Sequence, residues 1–527
     1  MQTTTMLMKS VEAHRVRLRV HNGALQYSTA ASTEAIDPEL LGKLRANYHE
    51  IALLVGPTCT SDTSLATWRN VEPAQRSWSL FLPALMASYY DSLRRPEFLH
   101  VSSILRLSDR VCASSLEQSF KLLVRRHHVL RSRFVLQKEG NRQAMVDDGI
   151  DVTLLTHDSS SAPPGQVEEL AQLKVDEFIR ERFELEKGPL VRILLIKLHP
   201  TDFLMVFVAH HCVFDWWSFN VALREVFSWY ESQQSGRVPS LPIMGLQFPE
   251  FAQSRSEGKT PSLNSKLAYW QKRFAGTCKP FFLPLDHPPT IDGGAKVKPV
   301  SDGLSPELTA TLRILAREER SSLFVVILAG FALALAQWRQ HHESHVWVLH
   351  NGRTRAPLIN LVGCFFDTWA MRAVWPDLCS YRNAIRIVQE AYTGALANLE
   401  VPSETQAAML IEASGGNLSG ATLFNYVAAG RTAERDGKML SDTLQLPSGL
   451  RVKPVKYTSR HAFIEPIVGT VLTINVTELG DSVTWWLQHD PTSFKFETIE
   501  LFSNATARIL KQAAADANAV VDRSWTN

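Results

Sequence analysis

The chain has 527 residues, 45% of them hydrophobic and 20% charged, enough to bury a large core and, by length, to form two to four domains. Lysine and arginine number 55 against 53 acidic residues, a net charge of +2 that gives no electrostatic case for a nucleic-acid or acidic-membrane partner and leaves any charged partner to a local patch. The six cysteines, at 59, 112, 212, 278, 364 and 379, form no CxxC pair, so neither a disulfide framework nor a zinc site is indicated; reduced thiols and a cytoplasmic location are expected. The N-terminal MQTTTMLMKSVEAHR lacks the apolar run and cleavage site of a secretory signal. No repeat of 20 to 50 residues and no low-complexity tract is visible.

In chain order, VRLRVHNGALQYS, residues 16 to 28, alternates apolar and polar residues on both sides of Asn22-Gly23. Both turn residues tolerate positive φ, so the pattern predicts a hairpin with Val20 opposite Leu25 and Leu18 opposite Tyr27. Arg15, Arg17 and Arg19 then share the other face. Asp37-Pro38 predicts a helix start, and Leu40, Leu41, Leu44, Tyr48 and Ile51 an apolar stripe. A unit of about 55 residues with no candidate catalytic pair reads either as a packing module with a solvated basic face or as a binding module. In the second case its Arg-bearing strand captures an extended acidic peptide by strand addition. GPTCTSDTSLAT, 56 to 67, reads as a linker.

Further on, Leu190 to Leu198 predicts one strand, HPTD a turn, and Phe203 to Ala209 a second strand buried on both faces. His210 and His211 follow it. Ser218 is expected to cap a helix whose Phe219, Leu223, Val226 and Tyr230 share a face. Adjacent strand residues point to opposite sides, so the two histidines are poorly disposed to bind one metal ion, and no metal site is expected. A histidine here can take or position a proton at neutral pH, while Asp215 fixes the loop or a distant cation. A pair of core histidines satisfied by backbone is the bland alternative. The longest apolar stretch, Leu323 to Ala336, is 14 residues, short of the roughly 20 that span a bilayer, and predicts a buried helix.

Two resemblances follow from these residues. VRLRVHNGALQYSTA with IDPELLGKLRANYHEIALL resembles the tubulysin-type N-terminal β-hairpin docking domain of peptide assembly lines. It implies that residues 1–56 bind the short, acidic C-terminal tail of an upstream synthetase. HHCVFDWWS, 210 to 218, resembles the HHxxxDGxS signature of nonribosomal peptide synthetase condensation domains, and other segments follow in that family's order. They are EPAQRSW (72–78), RHHVLRSRF (126–134), FPEFA (248–252), YWQKRFAG, LPLDHPP, GRTRAPLINLVGCFFDTWAMR (352–372) and LEVPSE (399–404). Trp216 stands where the family has glycine and Asp367 where it has asparagine; the stretch around ASGGNLSGATLFNY is degenerate.

The second resemblance implies a mixed α/β (α+β) fold of two chloramphenicol-acetyltransferase-like lobes in a V with a central tunnel. Added to the docking segment 1–56 and a linker 57–69, it gives an N-lobe at 70–245 and a C-lobe at 246–527. His211 matches the functional histidine, which accepts or orients the proton of an attacking amine; His210 supports it. Asp215 is expected to be structural, paired with Arg353 or otherwise Arg355 so as to tie the lobes together, with Ser218 supporting the site. No bound cofactor is implied: the donor acyl group arrives on the phosphopantetheine arm of a partner carrier domain.

The condensation-like region is expected to use the chain to its end, and the nearest carrier-like string, SGGNLSG (414–420), has its serine one residue late. These features point to a terminal enzyme that joins the donor to a small free amine and releases the amide, with Trp216 as a gate on the acceptor side. The alternatives are a carrier-bound acceptor on another protein and a catalytically silent recruitment scaffold. An epimerisation domain normally follows a carrier in the same chain, a heterocyclising domain has aspartates for histidines, and the plant-type acyl-CoA transferases carry a DFGWG motif that does not occur here.

Overall fold

A computed structural model describes residues 16–21, 24–28, 36–37, 40–41, 44, 69–70, 77–78, 81–91, 96–137, 142–163, 165–236, 239, 241–242, 244–256, 263–277, 283–287, 299–353, 355–414, 421–429, 443–455 and 470–521. The chain forms two units. The first comprises Met1–Glu257, Arg353–Phe365 and Asp442–Lys456; the second comprises Gly258–Gly352, Phe366–Ser441 and Tyr457–Asn527.

In the first unit, β1 (Arg17–His21) and β2 (Ala24–Ser28) pair antiparallel with Val20 opposite Leu25 and Leu18 opposite Tyr27, the predicted register. β2 also pairs with β3 (Arg69–Asn70), which leaves β1 at the edge of this sheet. Arg69, expected in the linker 57–69, is therefore part of the hairpin's sheet. Arg15, residues 57–68 and the side chains of Arg17 and Arg19 lie outside the described residues. Asp37 caps a helical turn, its carboxylate accepting from the Leu40 N–H (3.3 Å), and Leu40 and Leu44 are buried.

Next come β4 (Ser77–Trp78), α1 (Phe81–Tyr90), β5 (His100–Ser108), α2 (Ala113–Arg126), β6 (Ser132–Leu136), β7 (Arg142–Val146), β8 (Leu154–Asp158) and α3 (Val167–Arg180). β9 (Val191–His199) and β10 (Asp202–His210) form the predicted hairpin, and α4 (Trp216–Ser235) follows. Met205 to Ala209 are fully buried because β10 lies between β5 and β9 with both faces covered. α4 ends on Gly236, whose φ of 70° is the left-handed conformation that glycine adopts without strain. The short helix α5 (Phe248–Ser256) also belongs to this unit.

The second unit is built from α6 (Leu263–Phe274), β11 (Val300–Leu304), α7 (Pro306–Glu318), α8 (Leu323–Trp338), β12 (Glu343–His350), β13 (Asp367–Val374), α9 (Tyr381–Ala397), α10 (Ser403–Ser414) and β14 (Ala421–Ala429). β15 (Leu444–Gln445) and β16 (Arg451–Pro454) return to the first unit, where β16 pairs with β5; β17 (Thr470–Leu479), β18 (Ser482–His489) and α11 (Phe496–Ala515) complete the second. Its sheet runs β11-β18-β17-β14-β12-β13 around the buried α8. The first unit's larger sheet runs β15-β16-β5-β10-β9-β8. Among the described residues no single helix is long and apolar enough to cross a membrane.

A single cut at 245/246, into an N-lobe 70–245 and a C-lobe 246–527, is thus corrected: Arg353–Phe365 and Asp442–Lys456 fold with the first unit. Hydrogen bonding is the reason. Strand β16 extends the β5 edge, and 353–365 is held by the histidine loop itself.

Candidate active site

The loop between β10 and α4 carries the two histidines. His210 ends the strand and is fully buried, whereas His211 is half-buried, so alternation sends the two rings to different surroundings. The backbone fixes both: the His210 N–H donates to the Leu190 carbonyl (2.9 Å) and the His211 N–H to the Leu99 carbonyl (2.7 Å).

Their tautomers follow from their partners. His211 Nδ1 lies 2.8 Å from the Phe214 carbonyl, an acceptor only, so Nδ1 carries the hydrogen and Nε2 the lone pair. His210 Nδ1 accepts from the Cys212 N–H (3.2 Å), which puts the hydrogen on Nε2, a buried atom with no hydrogen-bond partner. The Tyr90 ring stands edge-on to it at 4.5 Å between centroids. Burial pushes both imidazole pKa values below the usual histidine range, His210 well below it; for His211 the Phe214 carbonyl and the Asp215 charge oppose the shift. Both rings are neutral near pH 7, and His211 has the electronic form of a general base.

Asp215, not Ser218, is the N-cap of α4: its Oδ1 accepts from the Ser218 N–H at 2.9 Å, the reach of a residue three positions ahead of the amide it caps. Arg353 takes the same carboxylate bidentately, Nη2 to Oδ1 at 3.0 Å and Nη1 to Oδ2, and the Phe365 N–H donates to Oδ2 at 3.1 Å. Arg355, the other candidate, is exposed. Because 353–365 belongs to the first unit, the pair holds that segment against the histidine loop within that unit.

Ser218 Oγ donates to Asp215 Oδ1 (2.8 Å) and accepts from the Gly363 N–H (3.0 Å) and Arg353 (3.1 Å). Gly363 also takes the Asp215 N–H on its carbonyl (3.1 Å); a Cβ there would come within 2.2 Å of the Phe248 ring, so only glycine fits. Trp217 Nε1 donates to the Ile359 carbonyl (2.9 Å), and Arg224 to Asn360 Oδ1 (2.8 Å). The Trp216 ring is 55% exposed and touches Phe219 edge-on, so it does not turn into the core.

A second layer escaped sequence reasoning. Tyr90, His100 and His210 cluster behind the loop: His100 Nδ1 donates to the Ile179 carbonyl (2.6 Å), its Nε2 lies 2.8 Å from the Tyr90 hydroxyl, and the Phe183 N–H donates to that hydroxyl (2.7 Å). Burial lowers the His100 pKa to about 3. Buried Glu225 holds His127 (2.9 Å) and Arg126 (3.2 Å), and His127 Nδ1 accepts from the Val362 N–H (3.4 Å). The only hint of these partners was their polar side chains inside apolar patterns.

A comparison with protein families matches residues 89–526 to the condensation domain, so the chain belongs to the condensation-domain family of nonribosomal peptide synthetases, whose general chemistry is amide formation by acyl transfer. It is 29% identical over 429 residues to the phosphinothricin tripeptide synthetase PhsC of Streptomyces viridochromogenes, covering 80% of this chain and 38% of that protein. It is 24% identical over 403 residues to bacitracin synthase 1 of Bacillus licheniformis, covering 76% and 7%. The chain therefore spans well under half the length of either relative. The first condensation domain of the calcium-dependent antibiotic synthetase, solved with a substrate analogue, superposes with a TM-score of 0.62 at 19% identity, covering 86% of this chain and all of that one. The mixed α/β condensation-type fold is thereby shown.

Proposed function

We propose that the chain joins a carrier-delivered acyl or peptidyl thioester to an amine, with His211 as the proton-handling residue. The observation that carries this is the His211 imidazole: neutral, half-buried, with Nδ1–H spent on the Phe214 carbonyl and the lone pair on Nε2. As the amine attacks the thioester carbonyl, Nε2 takes the amine proton; the carbon–sulfur bond then breaks and the carrier thiol leaves with a proton. His210 and Asp215 hold the loop. No cofactor enters this reading.

His211→Ala, given a peptidyl carrier and candidate amines, should lose about 10²–10⁴ of the amide-forming rate. An unchanged rate overturns the assignment. Since His211 titrates below the usual 6.5, the wild-type rate should hold as pH falls to that value and decline only beneath it.

A free-amine acceptor and product release are favoured by Trp216. Its exposed ring, one residue past Asp215, narrows the acceptor's approach where relatives of the motif have glycine. Trp216→Gly should extend the acceptor range to carrier-bound aminoacyl groups; an unchanged range speaks against gating.

For partner capture, β1 at the edge of its sheet supports strand addition of an acidic tail. Arg17→Glu with Arg19→Glu should weaken binding of such a peptide at least tenfold, and equal affinity would remove this reading.

A further inference from the structure

The His210 imidazole is held by hydrogen bonds at one end only. Its Nδ1 accepts from the Cys212 N–H (3.2 Å), with Cys212 Sγ 2.8 Å from the same nitrogen, whereas the Nε2–H has no acceptor among the described residues. Aromatic rings box that end instead: Tyr90 edge-on at 4.5 Å between centroids, Phe183 at 6.0 Å and His100 at 6.1 Å. Ring packing is what fixes the free end.

The nearest of these rings is itself anchored. His100 Nδ1–H is spent on the Ile179 carbonyl, so His100 Nε2 carries the lone pair; the Tyr90 hydroxyl donates to it (2.8 Å) and accepts from the Phe183 N–H (2.7 Å). Arg182 stands over the same ring, its Cζ 5.1 Å from the centroid, and donates to the Tyr90 carbonyl (2.8 Å). Tyr90 is fully buried, and a hydroxyl there costs free energy unless it is bonded; phenylalanine would offer the same apolar wall without that demand. What the hydroxyl adds is placement, since it pins the ring to the first residue of β5 and to the chain ahead of β9.

The bonded end of the His210 ring governs a turn. Cys212 belongs to it, the His210 carbonyl takes the Val213 N–H (3.1 Å), and the Phe214 carbonyl takes the His211 Nδ1–H (2.8 Å). We infer that Tyr90 is a positioning residue for His211: its anchored ring keeps the His210 imidazole on the Cys212 N–H and, through that turn, fixes the direction of the His211 Nε2 lone pair. This deepens the proposed amide formation and rests on His211 as its proton-handling residue.

The experiment is a double-mutant cycle on the full-length protein: parent, Tyr90→Phe, His210→Asn and the two combined. Its first readout needs no turnover. Diethyl pyrocarbonate acylates neutral imidazole, and the rate at His211 near neutral pH is followed by fragmentation mass spectrometry. Tyr90→Phe should raise that rate about threefold or more in the parent, because a loosened turn opens Nε2 to water, and by less than about twofold where His210→Asn has already removed the ring. The second readout is amide formation, where Tyr90→Phe should lower kcat about tenfold with KM within about twofold, again only in the parent. His100→Leu, which removes the hydroxyl's acceptor and keeps the tyrosine, runs the same cycle and decides the matter if Tyr90→Phe does not fold. An equal factor in both backgrounds would make Tyr90 a general support of the fold and overturns the inference, as does an unchanged labelling rate. Labelling decides the inference and the rate of His211→Ala decides the reaction, so either can fail alone.

Discussion

Two stretches of this molecule share one architecture. β9, β10 and α4 form a hairpin, a five-residue loop and a 20-residue helix; β17, β18 and α11 form a hairpin, a six-residue loop and a helix of the same length. Counted back from the helix starts, Phe214 matches Phe494, both buried, and His210 matches Asp490. Each of the latter begins a turn: the Val213 N–H donates to the His210 carbonyl (3.1 Å), the Ser493 N–H to that of Asp490 (3.0 Å). The side chains do the same work, since Asp490 Oδ1 accepts from the Thr492 N–H (2.9 Å) as His210 Nδ1 accepts from that of Cys212. In the histidine loop a neutral imidazole thus replaces the usual turn aspartate, in a place too dry for a charge. The helix starts differ as well. α4 has Asp215 and its arginine; α11 begins after Lys495, with no side-chain cap.

The largest expected effect lies at that cap. Arg353→Met should cost about 3–5 kcal/mol in urea unfolding by stranding the buried Asp215 carboxylate, and adding Asp215→Leu should return much of it. A small loss for Arg353→Met alone would show that the two loops are held alike. His210→Ala should cost about 1–3 kcal/mol by leaving the Cys212 N–H without its acceptor, while His210→Asn should keep the turn; equal losses would break the parallel with Asp490.

The pH dependence of stability follows from the same burial. His210 and His100 stay neutral when folded but take up protons near pH 6.5 when unfolded, so the unfolded state gains protons as pH falls below that value. Their contribution is fully present above about 6.5. It declines toward the lowered folded pKa, about 3 for His100, by up to about 1.4 kcal/mol per pH unit per histidine. His210→Asn should flatten that slope by one proton. The smallest change belongs to the second loop, where Lys495→Ser should add about 0.5–1 kcal/mol in thermal unfolding by supplying a cap.

The sequence carried the local features well. Alternation around Asn22-Gly23 gave the hairpin register, and the continuous apolar run gave β10, because both depend on neighbours a few residues away. Asp215 and Arg353 were legible as a pair only through the ordered motifs around them, being 138 residues apart. Ser218 was misplaced as the cap because serine and aspartate are both good caps, and only the backbone shows which side chain meets which amide. The path of 353–365 and the Tyr90–His100 layer were not legible: pairing across such separations leaves no periodic trace.

The excursion of 353–365 also orders events during synthesis. The first unit's initial stretch ends at Glu257, yet the guanidinium that neutralises Asp215 comes with Arg353, about a hundred residues on. At about 5–20 residues per second the nascent chain carries a charged histidine loop without its arginine for roughly 5–20 s. A chain interrupted in that interval presents an unfinished loop whose aspartate, lacking its guanidinium, is best accommodated in water.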